Sequence, residues 1–389
     1  MAPKPRRRAV KRVVDLVLDG RLQGAVLLRQ RPHLERRREQ HCQNEPHVVN
    51  FSAMDTAEEY TKKARGLSLL SGGLDSQLAV CVLRAAGAEV EGVTFETPFF
   101  SAAAAKKAAD ALDLPLRVVD FTDDALALIE DPPHGFGGAM NPCIDCHAKM
   151  IARAGELMAR LGFDFVATGE VLNQRPMSQN RQSLGVVEAC SGLKGRLVRP
   201  LSAQLLEPTI PEREGLLDRT KLLGLSGRRR EAQMALAKQF GLVDYPSPAG
   251  GCKLTEKGFG RRLKDLRDHE GLGERRLVEL LNLARRFRLP DGTGVILGRD
   301  ARENKILRDA LAPADTLLAP VTVPGPTALL PRVQSPADLV LAQQLVCAWS
   351  RFDQFPDDIT VRTTARGAVT DLKIPRPYAR DPFLDMMIK

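Results

Sequence analysis

A chain of 389 residues exceeds one average domain, so two cores plus an appendage are expected. Hydrophobic residues make up 43% and charged residues 27%, the balance of a globular chain, and no run of about 18 apolar residues exists to span a bilayer, so a membrane partner is not expected. The formal charge of +9 is uneven: residues 1–53 hold 12 Lys and Arg against 5 Asp and Glu, which leaves only +2 elsewhere, so total charge does not argue for a nucleic-acid partner.

Residues 1–64 read as a basic, disordered extension, with Arg clusters at Arg6 to Arg8 and Arg36 to Arg38. From Arg65 short apolar runs alternate with helical stretches: Leu67 to Leu70, then Ser76 to Ala86; Val90 to Phe95, then Ser101 to Leu112; Leu116 to Phe121, then Asp123 to Glu130. A helix from Ile144 to Leu161 leads into the run Phe163 to Thr168. Strands apolar on both faces with helical crossovers predict an α/β fold, a doubly wound, Rossmann-like parallel sheet, over residues 65–254. Such sheets bind ligands at the carboxyl ends of their strands, so motifs directly after an apolar run gain weight.

Residues 170–255 are rich in loops, with a helical stretch from Arg229 to Phe240. Beyond Leu254 the chain turns charged, with helices expected at Arg261 to Arg267 and Arg275 to Arg288, a strand at Gly294 to Leu297 and a helix from Asp300 to Leu311. Pro324 and Pro326 flank Gly325 and predict a linker. A smaller domain at 255–323 and an α/β elaboration at 324–389 follow, the latter with a helix at Ala337 to Trp349 and a strand at Ile359 to Thr364.

The strongest local signal is Ser71-Gly72-Gly73-Leu74-Asp75-Ser76, between the first strand and the first helix. Adjacent glycines let the backbone turn tightly with its N–H groups inward, and a helix N-terminus adds positive potential, so a polyphosphate is the expected ligand. Ser71 and Ser76 supply hydroxyls, and Asp75 offers a carboxylate to a Mg²⁺ that bridges phosphate oxygens. The bland alternative is an ordinary capped turn, which the strand context and the full string disfavour. No GxxxxGK[ST] string is present, which excludes the kinase-like and GTPase-like loop.

Seven cysteines are too few and too scattered for a secreted disulfide framework, so a reducing cytoplasm is the expected compartment. Asn141-Pro142-Cys143-Ile144-Asp145-Cys146-His147 sets two thiols at a loop-to-helix junction, where the first helical turn lowers a thiol's pKa. A third, Cys252, ends Pro248-Ala249-Gly250-Gly251-Cys252. Three uses compete: a [4Fe-4S] cluster on Cys143, Cys146 and Cys252 with one iron open to sulfide, a redox pair carrying a persulfide, or zinc with His147.

The loop resembles the SGGxDS pyrophosphate loop, or PP-loop, of the adenine nucleotide α-hydrolase superfamily, whose members cleave ATP to AMP and pyrophosphate. That resemblance implies ATP at Ser71, Gly72, Gly73, Asp75 and Ser76, with adenine against Thr94 and Phe95. Thr168-Gly169-Glu170-Val171-Leu172-Asn173-Gln174 with Ser178-Gln179 resembles the TGExLGQxxSQ string of ThiI-type tRNA 4-thiouridine synthetases, and Arg199-Pro200-Leu201 resembles their following segment. Asn173 stands where that family has Gly. Asn-Pro-Cys-x-x-Cys and the later Gly-Cys are similar to MnmA-type tRNA 2-thiouridylases. Downstream, Val295-Ile296-Leu297-Gly298-Arg299-Asp300 with Asn304 is similar to the signature of the NFACT RNA-binding domain, beside a basic stripe of Arg261, Arg262, Lys264, Arg267, Arg275, Arg276, Arg285, Arg286 and Arg288.

These resemblances imply an ATP- and Mg²⁺-dependent tRNA sulfurtransferase. A uridine carbonyl oxygen is adenylated, pyrophosphate leaves, and sulfur replaces AMP, with 4-thiouridine the favoured product. Gly169 and Glu170 are expected beside the α-phosphate, Asp75, Cys143, Cys146 and Cys252 as the reacting set, and sulfide or a cysteine desulfurase as sulfur donor, in a protein able to form a homodimer. The alternatives are a 2-thiouridylase, a PP-loop C–N ligase or amidotransferase, and a non-enzymatic RNA-binding protein regulated by nucleotide.

Overall fold

The computed structural model describes residues 63–247, 251–283, 285–351, 357–376 and 379–389; nearly all of the expected amino-terminal extension, and Pro248 to Gly250 of the Cys252 motif, lie outside them. The first layer is a parallel sheet of β1 (Arg65–Leu69), β2 (Glu89–Glu96), β3 (Leu116–Asp120), β4 (Phe165–Ala167) and β5 (Leu197–Val198). Its order, β3-β2-β1-β4-β5, is that of a doubly wound fold, as the alternation of runs predicts. The helices that wind around it are α1 (Leu74–Ala85), α2 (Ala103–Ala111), α3 (Thr122–Glu130), α4 (Cys143–Leu161), α5 (Arg181–Cys190) and α6 (Glu231–Gln239).

Helices cover both faces at the centre of the sheet, where β1 and β4 are buried, whereas the edge strand β3 leaves Arg117, Val118 and Asp120 exposed. On one face Leu78, Leu83, Ala105 and Ala108 pack with Val90 and Phe165; on the other Ile129, Ile151, Ala154 and Met158 pack with Leu67, Val93 and Phe95. The second core extends through α7 (Lys257–His269), whose Phe259, Leu263 and Leu266 are at most 2% exposed, and α8 (Arg275–Glu279) to Ile296, Leu307 and Leu329 of the carboxyl-terminal half.

There a six-stranded antiparallel sheet runs in the order β11-β10-β8-β9-β7-β6, built from β6 (Arg285–Arg288), β7 (Gly294–Leu297), β8 (Thr316–Pro320), β9 (Ala328–Leu330), β10 (Asp358–Ala365) and β11 (Ala368–Pro375). Helices α9 (Ala301–Asp309) and α10 (Pro336–Ala348) complete it. Two expectations fail here. Arg285 to Arg288 is not the end of a helix but a strand that pairs with β7 across the turn at Gly292, where φ is +99. Its charges disguised it: Arg286 is 3% exposed and meets Asp265 at 3.2 Å and Glu270 at 3.0 Å, so its polarity serves an internal ion-pair network. The segment around Pro324 and Pro326 is not a linker, because it connects β8 to β9, which pair in the same sheet. Among the described residues no helix is long and apolar enough to cross a membrane.

Candidate nucleotide and thiol site

Between β1 and α1 the chain turns at Gly72, where φ is +81 and a Cβ would lie 2.4 Å from the Ala104 backbone, so only glycine fits. The loop is braced from within. The Ser76 hydroxyl donates to Gly73 O at 2.8 Å and lies 3.2 Å from the Ser71 hydroxyl, while Gln77 Nε2 donates to Gly72 O at 2.8 Å and to Asp244 O at 3.1 Å. No side chain caps α1, whose first-turn N–H groups thus remain available to an anion.

Asp75 is oriented for a ligand. Gln174 Nε2 donates to its Oδ2 at 2.8 Å; its Oδ1 is buried, has no hydrogen-bond partner and lies 3.9 Å from an Arg230 guanidinium nitrogen. A buried carboxylate oxygen without a donor suits a divalent cation, so Asp75 fits the expected Mg²⁺. Sequence reading missed both neighbours. Gln174 stood unused in the TGExLGQ-like string, and Arg230, whose Nε is likewise buried and unpartnered, sits in a run of three arginines that matches no motif. Asn173, at the family's Gly position, takes φ +62, a left-handed conformation that Asn tolerates better than other non-glycine residues.

Beyond β4, Gly169 lies against the loop: a Cβ there would stand 2.6 Å from Asp75 C and Ser76 N. Glu170 turns inward. Its Oε2 accepts from Thr168 Oγ1 and Arg199 Nε, both at 3.0 Å, and its Oε1 lies 3.6 Å from His147 Nδ1. Burial pushes the Glu170 carboxyl up, but His147 and Arg199 outweigh it and bring the pKa down to about 2. Thr94 and Phe95 are each 5% exposed inside β2, and the Phe95 ring meets Phe121 edge-on at 5.4 Å. They belong to the core that supports the following turn, where Thr97 Oγ1 accepts from Phe99 N at 3.0 Å.

Cys143 and Cys146 open α4, and Asn141 Nδ2 donates to Cys143 Sγ at 3.1 Å. Asp145, between them, is turned into the protein, where it accepts from the His134 backbone N–H at 3.1 Å and pairs with His134 Nδ1. Cys252 joins the two thiols from across the sequence. Burial pushes the Cys146 thiol far up, and the nearby Cys252, Cys143 and Asp145 push it further; burial lifts Cys252 to about 11 against a hydrogen bond from the Leu254 backbone. The expected lowering by the helix start is therefore overturned at Cys146, where desolvation and crowding by like groups win. A cavity of about 400 Å³ beside Cys252 is lined by Thr97, Phe99, Phe100, Ser101, Lys253 and Glu256, among others.

Among the described residues no three His, Cys, Asp or Glu side chains converge on one ion. His147, the histidine beside the thiols, is engaged with Glu170. The neighbouring thiols of Cys143, Cys146 and Cys252 could each offer one sulfur to a multi-iron cluster. The path from loop to thiols is short: Gly169 touches Asp75 and Ser76, Glu170 follows, and its partner His147 is the residue after Cys146.

Residues 61–204 match the family described as thiamine biosynthesis protein (ThiI), and residues 284–375 match the NFACT protein RNA binding domain. A tRNA-specific 2-thiouridylase MnmA of Corynebacterium kroppenstedtii is 36% identical over 126 residues, 27% of this chain and 33% of that protein. The MnmA of Cutibacterium acnes is 28% identical over 271 residues, 61% of this chain and 69% of that protein. The chain thus spans about a third of the first relative's length. A solved 4-thiouridine synthetase–RNA complex with bound ATP is 21% identical, with a TM-score of 0.35 over 56% of this chain and 52% of that one. The fold assignment rests on strand order rather than on that likeness. The chain therefore joins a ThiI-type PP-loop domain to an NFACT-type domain, and it is related to the PP-loop tRNA-thiolation proteins.

Proposed function

We propose that this protein makes thiouridine in tRNA at the expense of ATP, with 4-thiouridine the favoured product. The observation that carries the reading is the direct structural link from the Asp75 loop, through Gly169, Glu170 and His147, to the neighbouring thiols of Cys143, Cys146 and Cys252. The backbone of Ser71 to Ser76 binds the polyphosphate, Asp75 Oδ1 would hold a Mg²⁺ that screens phosphate charge, and Arg230 faces the charge that builds on the leaving pyrophosphate. The uridine carbonyl oxygen attacks the α-phosphorus and pyrophosphate departs; a sulfur nucleophile then bonds to the adenylated carbon and AMP leaves.

Cys143, Cys146 and Cys252 would hold a [4Fe-4S] cluster, which supplies an open iron for sulfide. The persulfide reading uses the same thiols without iron: a cysteine desulfurase would load sulfane sulfur on one thiol, its outer sulfur would bond to the adenylated carbon as AMP leaves, and a second thiol would attack the inner sulfur, which frees the thiouridine and leaves a disulfide. The iron content of anaerobically purified protein separates the two readings. A 2-thiouridine product is the second reading, favoured by the MnmA relatives. The test incubates the reduced protein with ATP, Mg²⁺, sulfide and unmodified tRNA transcript. Thionucleoside formed with equal amounts of AMP and pyrophosphate is expected. AMP release without thionucleoside would instead favour a C–N ligase, and tRNA binding without AMP a non-enzymatic role.

A further inference from the structure

The structure divides the basic stripe of the sequence into two classes. Lys264 and Arg267 pair with Asp268, Arg275 with Asp120, Arg276 with Asp315 and Glu274, and Arg286 and Arg288 with Asp265 and Glu270. These charges are spent inside the protein and offer little to a ligand. Arg261, Arg262 and Arg285 have no ion pair among the described residues, and neither does Arg380.

Those four lie around Arg299, which is itself paired with Glu303. Arg285 opposes Leu297 in the β6–β7 register, directly before the Gly298-Arg299 turn. Arg380 is fixed beside them by its Nε bond to Ala348 O at 3.0 Å and by its stacking 5.5 Å over Trp349. Arg262, on α7, lies 5.7 Å over the Phe259 ring, and its Nε is buried without a hydrogen-bond partner. Burial, together with repulsion from one another, lowers the pKa of Arg262 (neighbours Arg286, Arg299 and Arg261) and of Arg285 (neighbours Arg380 and Arg299). Glu256 near Arg262 and Glu303 near Arg285 offset only part of the cost of holding these half-buried guanidinium groups together, and an external anion relieves the rest.

The patch also adjoins the thiols. α7 begins just after Cys252; its Glu256 lines the cavity there and is also near Arg262. Phe259, beneath Arg262, meets Phe99 of the cavity wall at 5.9 Å, and Gly260 packs against Met140 of the loop that leads into Cys143.

We propose that Arg261, Arg262, Arg285 and Arg380 form a cradle for the phosphate backbone of RNA, which leads the substrate strand toward the cavity at Cys252. The proposal rests on tRNA as the substrate. Regular spacing of phosphates suits a row of forked donors, and guanidinium groups recognise them in bidentate fashion.

The test titrates unmodified tRNA transcript into the full chain at several salt concentrations. Arg262→Gln with Arg285→Gln should lower affinity at least 10-fold and reduce the slope of log K against log salt by about 1.5, given about 0.7 to 0.9 per phosphate. ATP affinity and melting temperature should stay at wild-type values, and Arg117→Gln, at the far edge of the parallel sheet, should leave RNA affinity unchanged. An unaltered slope, or equal losses in the Arg117 variant, overturns the cradle. If the double variant does not fold, phenylglyoxal labelling of the unmutated protein decides: tRNA should slow modification of Arg262 and Arg285 but not of Arg362. Protection by inorganic phosphate alone, with none from tRNA, would overturn it as well. Binding is read without turnover, so a protein that binds RNA through these arginines yet makes no thionucleoside refutes the proposed reaction and not the cradle.

Discussion

Asp75 has one oxygen secured by Gln174 and the other left open, which separates its chemical role from its structural one. Asp75→Asn should fold normally, retain the Gln174 neighbour and lose about 100-fold or more in pyrophosphate release; wild-type release in a coupled phosphate assay would remove the metal role. Glu170 carries a different kind of prediction. Its pKa falls from an ordinary 4.5 to about 2 on folding, so its contribution to stability is complete above about pH 5 and is lost as pH drops toward 2. Glu170→Gln leaves Arg199, 4% exposed, with only Glu188 as a carboxylate partner, and should cost roughly 3 kcal/mol in urea unfolding at pH 7. The difference between variant and wild type should shrink as pH falls toward 2; a difference that persists there would mean that packing, not the ion pair, was lost. The loop itself was legible in the sequence because six consecutive residues build it. The Glu170–Arg199 pair was not, since its partners stand 29 positions apart and their types alone do not reveal burial.

At the level of elements, short apolar runs located every strand of the parallel sheet down to β4, because the positions that face the helices, such as Leu67, Val93 and Val166, must be apolar. β6 escaped the same logic. Its Arg286 and Arg288 satisfy carboxylates on α7 and after it, so a largely buried strand takes on the composition of an exposed helix. Asn304, noted in the sequence as part of an RNA-binding signature, has a structural duty: its Oδ1 accepts from Thr327 N at 2.9 Å, and its Nδ2 donates to Gly325 O at 3.3 Å. It thereby ties α9 to the β8–β9 connection, at a place where Gly298 leaves no room for a side chain because the Asn304 amide occupies it. Asn304→Ala should destabilise the chain by about 1 to 2 kcal/mol in urea unfolding while leaving RNA affinity within about twofold. A large loss of affinity at unchanged stability would show instead that the amide touches RNA.

For the whole molecule, a core that runs from β1 and β2 through α7 to β7 and β9 joins the nucleotide half to the carboxyl-terminal half. Trp349, the chain's one tryptophan, packs on Phe287 at 5.2 Å and so reports on the carboxyl-terminal sheet. Its fluorescence and the ATP-binding signal should disappear in one coincident thermal transition, and Leu263→Ala, at a fully buried site in α7, should lower both together. Two separated transitions would mean that the halves fold independently. The sequence suggests a nucleotide domain to residue 254, a smaller domain at 255–323 and, past a linker at Pro324 to Pro326, an elaboration at 324–389; α7 reads there only as a charged helix, and its apolar face becomes apparent once both sheets are in place. On this architecture the Asp75 loop, the thiols and the proposed RNA cradle belong to one compact unit, as the proposed reaction requires. The most direct test is mass spectrometry of nucleosides in tRNA from a strain that lacks the gene, beside the complemented strain. Loss of 4-thiouridine, restored on complementation, is the predicted result; an unchanged thionucleoside profile would contradict the proposed reaction.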